Sequence, residues 1–391
     1  MAKKEQNEFE IARKKRQKKF AAQRMRKFIG ALLITVLVLA GIYLFISEDI
    51  AGIIGDRIVS STKSGEGLPV DISGMTVKDT FAVGEHIGIM TDAVYFLYAQ
   101  NGKQLLSAQH GFANPVVESS GRRFLIYDQG GNKLMIRMRD KILFEKEFEY
   151  KIISADLSSD GSLSVITSAQ RYASQLHVFN KEYEEELFTW SASNEYIVSA
   201  TADFDKKIVA AAALSANEYG EMVTTVHVFT TEAAVELSKR EFKGASVLSL
   251  ALDNNGDVKV VCDTISAVMD KEGHILGSST YSSVPAAAIN IPGKDGIALI
   301  FDRFTEARCA EVHFLGENFE TVKAVSISGK YTCSDGDSSK YAVYSSGIAY
   351  VFNNFGECTA KLESEQDAHL IQLGKDELFA ITRDQFCLIE S

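Results

Sequence analysis

With 391 residues, 46% of them hydrophobic, the chain has the material for a large core. Its net charge of −11 is unevenly divided: residues 1–27 hold 11 Lys/Arg against 3 Asp/Glu, leaving 30 bases and 49 acids, net −19, for the rest. An acidic bulk of this kind excludes nucleic acid and anionic lipid as its main partner, although solubility alone is reason enough for it.

In chain order, residues 1–27 form a basic segment whose part from 8 to 27 favours helix and has no proline. It reads either as a patch for anionic lipid head groups or as a topology signal that solvates the end of the adjoining apolar run. That run is 19 residues without a charge, Phe28 to Ile46. At the rise of an α-helix it just crosses the hydrocarbon of a bilayer, which predicts a transmembrane helix at 28–46 with the lipid bilayer as its partner. Arg24, Arg26 and Lys27 precede it, and Glu48 and Asp49 lie beyond it. Positive charge stays inside, so the expected protein is a single-pass cell-membrane protein with a cytoplasmic N-terminus and the remainder outside. A cleaved signal peptide would have a shorter apolar region and a small-x-small site after it, and none is present. Nothing downstream resembles a helical partner that would bury the run in a core. Residues 47–67 mix small, polar and glycine residues around Ile50, Ile53, Ile54 and Ile58 and read as a juxtamembrane linker.

From residue 68 to 391 the pattern becomes short alternating runs between turn residues, with no 3.6-residue period. One unit recurs, and its landmark is an apolar residue near the end of an apolar run: Tyr98, Met138, Phe179, Phe229, Met269, Leu315, Phe352 and Ile389. A second run precedes each, such as FLIYD (124–128), LSVIT (163–167) and YAVYS (341–345), entered through turns such as SSDG and DNNG. Four strands in about 40–45 residues, repeated around a ring, describe a β-propeller blade. The expected fold is all-β, a propeller of eight four-stranded blades, with seven if one unit is irregular. The last landmark lies at the end of the chain, so its blade lacks a fourth strand. LPVDISG (68–74) precedes the first blade without a partner, and placing it there closes the ring. Pro69 is tolerable on such an edge strand.

HGFANP (110–115), YDQGGNK (127–133), ISADLSSDG (153–161) and TSAQRYASQLHVF (167–179) resemble an uncharacterised bacterial family of membrane-anchored propellers, a domain-of-unknown-function family numbered 5711. The resemblance spans the anchor and essentially the whole outer domain. It implies the architecture and the placement and carries no mechanism.

Candidate chemistry is sparse. His177, His227 and His313 share one repeat position, but equivalent positions in separate blades lie apart, so a strand role is expected rather than zinc. Asp253–Asp257 and Asp335–Ser339 resemble the start of a calcium loop but lack its later glycine and glutamate, and read as hairpin turns. Ser60-Ser-Thr-Lys63 matches S-x-x-K without the partner motifs. No G-x-S-x-G, P-loop or H-E-x-x-H occurs. A quinone-dependent propeller dehydrogenase would resemble its class in repeated tryptophans, and Trp190 is the only one here. No cofactor, metal or catalytic residue is therefore expected. The five cysteines, 262, 309, 333, 358 and 387, include no C-x-x-C pair and read as small buried hydrophobes, with room for one disulfide that spacing does not assign.

One constellation comes from propeller geometry. Loops between second and third strands share a disc face with loops between blades. That face gathers His110, Asn114, Asp128, Gln129, Asn132, Arg171, Tyr172, Glu218, Tyr219 and Arg303. Tyr and Arg often anchor interfaces, while polar loops are also simply where polar residues go. The expected function is a noncatalytic binding or scaffolding module at the cell surface, with a protein or cell-envelope polymer as partner. The alternative is a cell-envelope hydrolase or lyase with its site in the central channel, for which clustered acids with a histidine there would speak.

Overall fold

The computed structural model of the chain describes residues 67–389, apart from 233–234, 291–295, 304–308, 338, 365 and 376, together with residues 25, 29, 30, 32–39 and 41. It divides into two units, Met1–Lys63 and Ser64–Ser391. In the first, residues 29–30, 32–39 and 41 are helical, and the apolar side chains of Leu32, Leu33, Ile34, Val36, Leu37, Val38 and Leu39 are exposed. Among the described residues no helix is long and apolar enough to cross a membrane. The remainder of the expected spanning run, and nearly all of the basic segment and linker, lie outside the described residues.

The second unit contains eight four-stranded antiparallel sheets, the expected eight blades. Numbering each blade's strands outward from the channel, the first strands are Val77–Val83, Pro115–Ser120, Ile152–Leu157, Tyr196–Asp203, Val247–Leu252, Ala287–Asn290, Tyr331–Gly336 and Leu370–Leu373. Successive blades meet through these strands, and the last meets the first to complete the ring. Each landmark residue lies in, or just after, the third strand of its blade, as the repeat implied.

Burial explains why the second strands were so legible. Each is flanked by two strands of its own blade and covered on both faces by neighbouring blades, so nearly all of its positions are buried, the polar Ser164, Thr167 and Lys259 among them. Leu163–Thr167 and Val258–Cys262 are buried at every position, and Ile208–Ala216 uses small residues, Ala210 to Ala213, at its centre. Outer strands alternate instead: Gln104–Gln109 and Cys358–Glu363 turn exposed and half-buried side chains to opposite sides. The core is therefore not one body but a set of apolar seams. Phe81, Tyr95 and Phe124 pack between blades 1 and 2, and Phe314, Tyr341 and Phe352 between blades 6 and 7.

The ring closes as the orphan strand predicted. Val70–Asp71 pairs with Gln385–Leu388 and becomes the fourth strand of blade 8. Val70 stands opposite Phe386 and Asp71 opposite Gln385; the Ile72 amide donates to Asp384 O at 2.9 Å. Ile72 itself, 1% exposed, fills the seam between blades 8 and 1 with Ile87, Phe379 and Phe386. A second tie holds the closing blade from inside: Asp335 Oδ2 accepts from Leu373 N and Gln372 Nε2, both at 2.7 Å.

Candidate functional site

The alternation of strand direction puts the second-to-third loops and the inter-blade loops on one face of the disc. All ten residues singled out from the sequence belong to that face by chain position, but their side chains do different things. His110 is a correction. It is 5% exposed, its Nε2 donates to Thr91 O at 3.3 Å, and its Nδ1 accepts from Phe112 N at 3.0 Å. The ring is turned inward and holds its own loop, so it presents nothing to a partner.

Asn114, Asp128, Gln129 and Asn132 are also committed largely to scaffolding. Asp128 Oδ1 accepts from Asn114 N at 2.7 Å, and Gln129 Nε2 reaches Ile153 O at 3.1 Å. Asn132 Nδ2 donates to Phe148 O at 3.0 Å and Glu147 Oε1 at 3.2 Å. These bonds fold the loop of blade 2 onto its own outer strand and, through Gln129, tie it to blade 3. Arg303 ends the second strand of blade 6, opposite Cys309; its side chain lies outside the described residues.

The remaining residues are displayed. Arg171 and Tyr172 are exposed in the loop of blade 3, near Tyr150, whose hydroxyl bonds to Glu149. Glu218 and Tyr219 sit on a feature that the sequence signalled only as an irregular spacing, 50 residues between Phe179 and Phe229. Phe179 stands opposite Leu163, and Phe229 opposite Val209. From those pairs blade 3's second strand ends at Thr167, whereas blade 4's continues to Ala216. Blade 4 therefore runs three residues farther, roughly 10 Å at the rise of a strand. The extra length forms a hairpin in which Ala216 pairs with Met222.

Its tip is preorganised. Asn217 Oδ1 accepts from Tyr219 N and Glu221 N, both at 2.9 Å, and Asn217 Nδ2 donates to Glu221 Oε2 at 2.9 Å. Gly220 supplies the positive φ of 78° that closes the loop. Tyr219 is left 80% exposed on this rigid tip, with Tyr172, Tyr196 and Met222 exposed on the same face of blades 3 and 4. Blade 7 repeats the turn on the opposite face: Asn353 Oδ1 accepts from Phe355 N and Glu357 N, and Phe355 is 71% exposed.

The channel holds a second constellation that sequence reading missed. Asp79, Glu118, Asp156 and Asp335 stand on the first strands of blades 1, 2, 3 and 7. Glu118 and Asp156 line a cavity of about 400 Å³ with Ser154, Thr201 and the buried Lys259. Asp79 and Glu118 remain exposed to solvent, although protein crowds both carboxyls. Removal from bulk water, then the charges of Asp156 and Asp79, pushes Glu118 up to about 8. The same crowding raises Asp156 and Asp79 and lifts Asp335 to about 6. No histidine is among the described residues lining that cavity.

The strand histidines are paired, His177 and His227 across strands and His313 within its own strand. His177 Nδ1 meets Glu186 Oε1 at 2.7 Å and its Nε2 meets Thr167 Oγ1 at 3.1 Å. His227 Nδ1 meets Glu236 Oε1 at 2.9 Å beside Trp190, and His313 Nε2 meets Glu311 Oε2 at 3.2 Å. Among the described residues no group of three or more potential ligands could hold a metal ion. Asp253 Oδ1 caps its own hairpin, accepting from Asn255 N and Asp257 N at 2.8 Å, as a turn and not a calcium loop. All five cysteines are free.

The model of the Family of unknown function (DUF5711) matches residues 70–390. No curated protein matches the chain. Among solved structures it is similar to the C-terminal WD40 domain of Sif2, at 12% identity and a TM-score of 0.59, over 84% of this chain and 100% of that one. It is also similar to BamB from Moraxella catarrhalis, at 11% identity and a TM-score of 0.49, over 82% of this chain and 100% of that one. At 12% identity the likeness to the Sif2 domain shows the fold alone.

Proposed function

This chain belongs to the Family of unknown function DUF5711, and we propose that its propeller is a noncatalytic binding or scaffolding module. The observation that carries the reading is the blade 4 hairpin. A fixed turn holds an aromatic side chain in water, among further exposed Tyr and Met, despite the apolar exposure this entails. Tyrosines of this kind supply large contact area with little side-chain entropy to lose on docking. The uncharged run Phe28–Ile46 and the charge asymmetry around it support a single-pass anchor with the propeller outside the cell. The partner is then a protein or a cell-envelope polymer.

A photo-crosslinking side chain placed at Tyr219 in intact cells should capture a discrete partner, and the same side chain at Phe355 should not. The two positions share one turn geometry on opposite faces. Equal capture at both, or capture at Phe355 alone, would remove the face from consideration.

The channel carboxyls favour a second reading, a hydrolase or lyase acting on envelope glycan or peptide, with Glu118 protonated near neutral pH as the general acid. Loss of such an activity in Glu118→Gln, with binding at the hairpin face retained, would choose it.

A further inference from the structure

His227, in the third strand of blade 4, has a carboxylate at each ring nitrogen. Its Nδ1 is hydrogen-bonded with Glu236 Oε1 at 2.9 Å. Glu195 Oε1 lies 3.0 Å from Nε2, close enough for an ion pair but not aligned as a hydrogen bond. The imidazole is only 7% exposed, and Trp190 of blade 3 packs on it with ring centroids 4.7 Å apart. The two carboxylates come from different places. Glu236 opens the fourth strand of blade 4, whereas Glu195 belongs to the loop that runs from Ala192 of blade 3 to Tyr196 of blade 4. Tyr196, 62% exposed, is one of the aromatic side chains on the face of the hairpin. The other groups around the imidazole are few. On the fourth strand Lys239 stands opposite His227 and Glu241 opposite Thr225. The second strand offers Ala211, and blade 3 faces the site with Trp190 and Phe188.

We propose that His227 is a proton-dependent clasp for the docking face: charged, it holds Glu195 and the inter-blade loop against the seam, and neutral, it lets that loop go. The inference rests on the reading of the blade 4 face as a docking surface. Proton count sets what the site can hold. An imidazolium carries an N–H at both nitrogens and satisfies both carboxylates, whereas a neutral imidazole has one N–H and one lone pair. With that N–H kept on Glu236, the lone pair of Nε2 would face a carboxylate oxygen at 3.0 Å. In a buried seam such a repulsion is little screened, so one carboxylate has to leave.

Which one leaves follows from how each is held. Glu236 has the aligned bond and a place in a strand ladder, opposite Phe229. Glu195 has neither, since it stands in the loop just ahead of the first rung of its blade, Tyr196 opposite Leu214. The loop therefore gives way, and the rung that sets Tyr196 is the next to loosen. Histidine is the side chain that ordinarily changes charge between about pH 5 and 8, so the clasp works in a range where the flanking carboxylates stay ionised.

Trp190 is the only tryptophan of the chain, so its fluorescence reports on this site directly. A charged imidazole against an indole quenches it. In the purified full-length chain in detergent, titrated from about pH 5 to about pH 8.5, emission should rise in a single one-proton step. Hydrogen exchange in peptides covering residues 193–196, corrected for its intrinsic pH dependence, should be about tenfold faster at the upper end, as expected for the loss of one partly buried charged contact. His227→Gln should lose both steps. Glu195→Gln should keep the fluorescence step and lose the exchange step, because the loop no longer carries the charge that the clasp holds. A wild type without a fluorescence step, a step that survives in His227→Gln, or an exchange step that is absent from the wild type or kept in Glu195→Gln overturns the proposal. If His227→Gln does not fold, the wild type and Glu195→Gln decide. None of these readings involves a partner, so capture at Tyr219 can fail with the clasp intact, and the clasp can fail with capture intact.

Discussion

Val70 and Phe386 stand opposite each other in one antiparallel pair, so the first strand of the propeller is the outermost strand of its last blade. Both ends of the propeller thus share a sheet, and the seam behind it is filled by Ile72 and Phe386, which are 1% and 0% exposed. Removing residues 68–74 unpairs the backbone of Gln385–Leu388 and bares that seam. The deletion should abolish cooperative unfolding or lower Tm by well over 5 °C. Phe386→Ala alone should cost about 3–5 kcal/mol, read by denaturant titration. An unchanged melting curve for the deletion would show that the ring closes by other contacts.

Membrane topology can be read with a protease. Added to intact cells or protoplasts, it should degrade the propeller and spare an epitope fused ahead of residue 1. A protected propeller would reverse the orientation inferred from the charges beside Phe28–Ile46.

At the hairpin, Tyr219→Ala removes a side chain that is 80% exposed and should change stability by no more than about 0.5 kcal/mol. Partner affinity should fall at least tenfold. Phe355→Ala, on the opposite face, should leave affinity as it is. Gly220→Ala keeps the tyrosine but forces a side chain onto a φ of 78°, at about 1 kcal/mol. A loosened tip should weaken capture by a smaller factor. Equal losses from the 219 and 355 changes would sink the hairpin as the docking element.

The His177–Glu186 link sets an acid limit on the ring. Burial raises Glu186, but hydrogen bonds from His177 and Thr189, then the charges of His177 and Lys146, outweigh it and hold the carboxyl below its ordinary range. Its stabilisation is present above the unfolded value and is lost as pH falls through the depressed folded value. Glu186→Gln should therefore be destabilised by about 0.5–1 kcal/mol at pH 7 and should converge on the wild type below about pH 4. A constant gap down to pH 3 would show that packing, not charge, is what the substitution removed.

Thiol reactivity should track burial. Burial pushes the Cys262 and Cys333 thiols up to about 12, leaving almost no thiolate at pH 8. Cys358 is exposed. A maleimide at pH 8 should modify Cys358 in the folded chain and reach Cys262 and Cys333 only after unfolding. Rapid native labelling of Cys262 would mean that the seam between blades 4 and 5 opens.

Blade number and ring closure were legible because they repeat: an apolar landmark such as Phe179 or Phe352 recurs under the same packing constraint in every blade. The face of the disc was legible too, since strand direction alone assigns each loop. Side-chain direction was not. His110 belongs to the right loop yet points into the core, and Asn132 commits both its bonds to the outer strand of its own blade. The hairpin was half-visible, as a long spacing that could not say which loop absorbed it. Of the channel acids, Asp335 stands out in the sequence but reads as part of a hairpin turn, whereas it lies in a strand. Asp79, Glu118 and Asp156 left no trace, because an acid in a first strand looks like any solvent-facing residue until the ring forms.

The two-residue closing strand has a mechanical meaning. The chain enters the propeller at Leu68 and forms the latch at Val70–Asp71 almost at once. Tension drawn through the segment ahead of it falls on a handful of hydrogen bonds and on the anchored side chain of Ile72, before any other blade bears load. The ring would yield there first, releasing Gln385–Leu388 as a bare strand edge while the other seven blades remain stacked.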